Sequence, residues 1–302
     1  MKYQEPTILK DAGFSIGMLN RLRELDVDVE SIASFTTNSL QNSIRDYDEK
    51  TPPITLFCSW LNTILKHTFQ SQFNFPVTHN ILNKHNGTPV TFKSILSFCW
   101  QSGIPVIPLD RLKSAFQLPS YVITWDNDRP VIFLSSEGNS ESGNLYKLAH
   151  ALMSAEKQEL KNKPYVSHEL AFCWGGFSHI YKKNASCSEI DIHEKVMRLV
   201  TKNKVVDLKD LASITFPGQL ALECDIMGEI LEVDPGILAL MVADSYLSWD
   251  LVKESLEYLD EPNHISIVKS LFEESSMRDE RCMSDSCLAF TIFALTGKHR
   301  VS

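Results

Sequence analysis

Two apolar runs, YVITW (residues 121–125) and PVIFL (130–134), flank the four residues DNDR. Both runs are rich in β-branched and aromatic residues, and the Asn/Asp turn between them is short. This pattern predicts a β-hairpin. It commits one stretch to a sheet in a chain that otherwise reads as helix, and it fixes the fold class as α+β and predominantly helical.

The segments around the hairpin have helical spacing. TFKSILSFCWQSG, just upstream, repeats apolar residues at helical intervals and closes on Gly103, a C-terminal cap. IPVIPL follows as a short strand interrupted by prolines. Downstream, the polar loop SSEGNSESGN supplies N-cap residues for a helix running through NLYKLAHALMSAEKQEL. Farther on, SEIDIHEKVMRLV, DLKDLASI, GQLALECDIMGEIL and PGILALMVADSYLSWDLVKESLEYL each read as helix. The first 75 residues read as four helical segments, with Pro52-Pro53 ending the third. PVTHNILNKHNGTPV, rich in Pro, Asn, His and Gly, reads as a linker. The expected divisions are therefore a helical module at 1–75, a linker at 76–90, a central domain at 91–245 and a helical tail at 246–302.

Composition narrows the class. Apolar residues make up 43% and charged residues 22% of the 302, as in an ordinary folded protein. The net charge of −9 argues against a broad electrostatic grip on nucleic acid. Seven scattered cysteines, none in a CxxC pair, read as reduced buried thiols. The opening MKYQEPTILKD lacks the apolar core of a signal peptide, and no apolar run is long enough for a bilayer. The expectation is a cytoplasmic protein with no membrane partner.

The helix LAHALMS carries the one chemical motif. A zinc peptidase helix of the HExxH type sets two histidines four residues apart on one face, with a glutamate between them as general base. In this chain His150 stands at the first-ligand position, Ala151 at the base position and Ser154 at the second-ligand position. A methyl group cannot take a proton, and a serine hydroxyl is a poor zinc ligand.

Gly103-Ile104, Pro130-Val131-Ile132 and Leu148-Ala149-His150 fall in an order and spacing that resembles the ImmA/IrrE metallopeptidase family over residues 90–160. The resemblance implies a zincin-like core whose metal site has decayed. It also implies a third ligand from a later helix, for which Glu169 and Glu194 are the candidates. The function expected from it is non-catalytic: a regulatory, protein-binding role of the kind found beside repressors in mobile elements, with no cofactor. The groove around His150 and the preceding loop would be its binding site. The alternative is a zinc endopeptidase using His150 with one of Glu169, His168, His179, Glu194 or His193.

The same resemblance implies coupling to an XRE-type helix-turn-helix. Residues 20–50 have that cadence, and Asn38, Gln41, Asn42 and Arg45 would be the DNA contacts. Asp46, Asp48 and Glu49 close that segment and would repel phosphate. A DNA-binding regulator is thus the third reading, beside a plain helical interaction module.

Overall fold

A computed structural model of the chain describes residues 54–55, 58–59, 62, 87–108, 119–135, 140–157, 163–167, 187–246 and 248–259. These form a predominantly helical α+β fold in which one small mixed sheet is packed by helices.

The first helix, α1 (Phe92–Gln101), starts on a reciprocal cap. The Ser94 hydroxyl accepts from the Thr91 amide, and the Thr91 hydroxyl accepts from the Ser94 amide. Phe92, Ile95, Leu96 and Cys99 recur at helical spacing and are buried. Gly103 closes the helix at φ +75°, which lets the Ile104 amide donate back to the Cys99 carbonyl.

Strand β1 (Val106–Pro108) then runs parallel to β3 (Arg129–Leu134). β2 (Tyr121–Asp126) pairs antiparallel with β3 through a two-residue turn in which Asn127 takes a positive φ of 54°. A two-residue segment, β4 (Tyr165–Val166), adds to the free side of β2, giving the order β1-β3-β2-β4. The hairpin expected at YVITW-DNDR-PVIFL is present, with Asp126 opposite Arg129.

Alternation along the strands divides the sheet into two faces. Tyr121, Ile123, Ile132, Leu134 and Val106 belong to the main core, against helix α2 (Glu141–Ala155). Val122, Val131 and Phe133 lie on the other face and are buried as well. Asn62 donates to the Trp125 carbonyl at 3.1 Å.

Helix α2 is the centre of the described fold. The sheet lies on one side, and α1, α3 (Cys187–Val200) and α6 (Pro235–Tyr246) pack around the rest. It has no polar face because it has almost no solvent face, the pattern of a helix buried all round. Its buried polar residues therefore need internal partners. Lys147 donates to the Ser135 carbonyl at 2.9 Å, and the Ser142 hydroxyl donates to Asp234 at 2.6 Å.

The remaining helices are α4 (Lys209–Ala212), α5 (Pro217–Leu231) and α7 (Trp249–Leu259). α5, α6 and α7 pack on one another, and α6 joins them to α2. Asp234 caps α6, accepting from the Ile237 amide at 3.1 Å while held by Ser142. A Cβ on Gly236 would lie 2.0 Å from the Ser142 hydroxyl, so the approach of α6 to α2 requires glycine there.

One expectation changes at this end. PGILALMVADSYLSWDLVKESLEYL is two helices, α6 and α7, and not one. The Ser248 carbonyl accepts from the Val252 amide as α7 begins, and Asp250 follows in its first turn, where an acid favours a helix start. Val252 and Leu256 of α7 sit in the same core as α2 and α6. Most of the helical module at 1–75 and of the linker at 76–90 lies outside the described residues.

Candidate functional site

The site is built on the face that α2 turns to the sheet. Tyr146, His150 and Ser154 are spaced by four and so share that face, one turn apart. Tyr121 opens β2 on the sheet face toward the helix, and its hydroxyl reaches both of the lower residues. It lies 2.8 Å from Nδ1 of His150 and 3.0 Å from the Ser154 hydroxyl. A phenol has one proton, so it can donate only one of these bonds. Ser154 and His150 are themselves 3.5 Å apart, the outer limit for a hydrogen bond.

A second pair sits one turn up. The Tyr146 hydroxyl bonds Nδ1 of His193, on α3, at 2.8 Å. The ring of Tyr146 is tilted against both imidazoles, with centroids 5.9 Å from His150 and 6.0 Å from His193. Tyr165 of β4 packs against Tyr121, with ring centroids 6.0 Å apart. The result is a continuous aromatic and imidazole stack from α3 across α2 to the edge of the sheet.

Burial decides what this group can do. His150 is 3% exposed, and Tyr121 and Ser154 are fully buried. Burial pushes the Tyr121 hydroxyl well above the usual phenol range, with the neighbouring Tyr165 adding to the rise. A neutral phenol is therefore the stable form. A serine beside an imidazole could suggest a nucleophile and its base. Here the imidazole nitrogen facing Ser154 is held by Tyr121, and the hydroxyl is fully buried.

The donor set does not fit a catalytic zinc ion. Zinc takes three or four nitrogen, sulfur or carboxylate ligands. This cluster offers two imidazoles, His150 and His193, each with Nδ1 engaged by a tyrosine hydroxyl, one aliphatic hydroxyl and the methyl group of Ala151. No group of three or more His, Cys, Asp or Glu side chains suited to a metal occurs among the described residues. Glu194, a candidate third ligand, is on the solvent side of α3, where its carboxylate lies 3.8 Å from Arg198. Its neighbour His193 turns to α2, where it bonds the Tyr146 hydroxyl. Glu169, His168 and His179 lie outside the described residues, as do Asn38, Gln41, Asn42 and Arg45.

The buried position of His150 also bears on the expected binding groove. A partner cannot touch His150, Ser154 or Tyr121 while the core is closed over them. Reading the motif alone missed the three tyrosines. Tyr146 was open to detection, because it stands four residues before His150 on the same helix. Tyr121 and Tyr165 were not, because only strand pairing and the packing of α2 bring them here.

Among the described residues, Cys58, Cys99 and Cys224 are free and buried. Burial raises all three, Cys224 to about 12, so none is a ready thiolate. No described helix is long and apolar enough to cross a membrane. Compared with known proteins, the chain matches no family model, no curated protein and no solved structure.

Proposed function

We propose that this chain is a non-catalytic, regulatory protein-binding molecule built on a metallopeptidase-like scaffold whose metal site has been lost. The observation that carries the reading is the Tyr121 hydroxyl, which bridges the residues at the first-ligand and second-ligand positions of the α2 motif. It occupies the space that a metal shared through Nδ1 of His150 and the Ser154 hydroxyl would need. With Ala151 in place of the general base, the helix lacks both a complete metal cradle and a proton acceptor for water.

The order of elements supports the same reading. A helix ending on Gly103, a strand, a hairpin and a buried helix carrying His150 follow one another as the resemblance to the ImmA/IrrE family implies. What such a scaffold retains without chemistry is its surface.

Hydrolysis assays on unstructured protein and peptide substrates, with and without added zinc, test the reading. We expect no turnover above that of a His150→Ala variant. Zinc-dependent turnover that His150→Ala abolishes would overturn it.

A further inference from the structure

Helix α5 is packed on one side only. Leu220, Ala221, Cys224 and Gly228 face inward and are buried. On the opposite side Leu222, Ile226 and Ile230 are 57%, 46% and 75% exposed. Their spacing of four places them on one stripe, about 12 Å long at the helical rise.

Single exposed aliphatics are ordinary, but an aligned row of three on the outer face of a helix is not the usual polar pattern. Asp225 and Glu229 are exposed beside the row, and Glu223 adds a third acid. The fifteen residues of α5 contain no lysine or arginine. We infer that the Leu222–Ile226–Ile230 face of α5 is a docking surface for an amphipathic helix of a partner protein, with aliphatic anchors bordered by basic residues.

Charge complementarity selects that occupant. Apolar anchors at helical spacing fit the stripe, and lysine or arginine on their borders would meet Asp225 and Glu229. A second copy fits poorly, because pairing two α5 faces would bring the acids of one against those of the other. The row is also short against the roughly 800 Å² per partner of a standard stable interface. This inference rests on the proposal that the chain works by binding protein, and it supplies the surface that the buried His150 cannot.

The test uses the full chain and two synthetic helices with the same leucine face, one bordered by lysines and one by glutamates. Fluorescence anisotropy should show binding of the lysine peptide, weakening as salt rises, and little binding of the glutamate peptide. Leu222→Ser/Ile226→Ser/Ile230→Ser should weaken the lysine peptide by about tenfold or more. These positions face solvent, so circular dichroism of the variant should show an unchanged melt.

Absent binding, equal binding of both peptides, or equal binding to the variant would overturn the surface. So would a wild-type dimer in sedimentation that the variant dissolves, which would assign the face to a second copy. Zinc-dependent turnover by a chain that still discriminates the peptides would instead defeat the non-catalytic reading and leave the surface standing.

Discussion

Tyr121 and His150 are joined by a 2.8 Å hydrogen bond between the phenol hydroxyl and Nδ1, inside a core closed to solvent. One residue begins the hairpin and the other lies midway along α2, so this bond ties the sheet to the central helix. Tyr121→Phe keeps the ring and removes the tie, leaving His150 and Ser154 to find new partners. We expect a loss of about 1–3 kcal/mol, read from the urea midpoint. Because burial raises the phenol, the folded state favours its protonated form. Stability from this group is therefore present below the ordinary phenol range and lost as pH rises above it. The Tyr121→Phe variant should lose less stability than wild type above pH ~10. Parallel loss in the two proteins would contradict this.

The Ser142–Asp234 bond and Gly236 make one joint between α2 and α6. Gly236→Ala places a methyl group against the Ser142 side chain and should cost about 1–3 kcal/mol. Ser142→Gly in the same chain should recover part of that loss, a non-additivity that a double-mutant cycle measures. Additive losses would show that the close approach is not the cause.

Asp234 gives this joint a pH dependence. Burial raises its carboxyl, against the lowering effect of the Ser142 hydroxyl and the amides of Ile237 and Gly236. The folded state thus holds the proton more tightly than the unfolded chain does. Its contribution is fully present below the unfolded carboxyl range and is lost as pH rises through the folded value. Asp234→Asn keeps an N-cap acceptor without the buried charge. Relative to wild type it should gain stability between pH ~4 and neutrality. A relative loss over that range would mean that the carboxylate is the stabilising form.

Asn144 is a different case, buried on α2 with neither side-chain atom hydrogen-bonded. An orphaned amide costs more than an apolar group of similar size. Asn144→Leu should leave stability unchanged or raise it by about 1 kcal/mol in a denaturant titration. A marked loss would show that the amide serves the native state.

Much of the scaffold was legible because local patterns matched their final environment. The hairpin had its turn residues between two β-branched and aromatic runs, and α1 had Gly103 at its end. The split between α6 and α7 was harder to see, since apolar residues continue across Leu247 and hide the start signal at Ser248 and Asp250. β4 was too short to register against its polar surroundings. At the site, the losses at Ala151 and Ser154 could be read directly from spacing. The replacement could not, because Tyr121 lies 29 residues from His150 and meets it only through the fold. The exposed face of α5 was hidden for a related reason: LALECDIMGEIL is apolar on two sides, and sequence alone does not say which side the core takes.

The most direct test of the central claim is the zinc content of the purified full chain, measured by elemental mass spectrometry beside a His150→Ala variant. The bridge from Tyr121 to His150 and Ser154 predicts far less than one zinc per chain in both proteins. Close to one zinc per chain in the wild type, lost in His150→Ala, would contradict it.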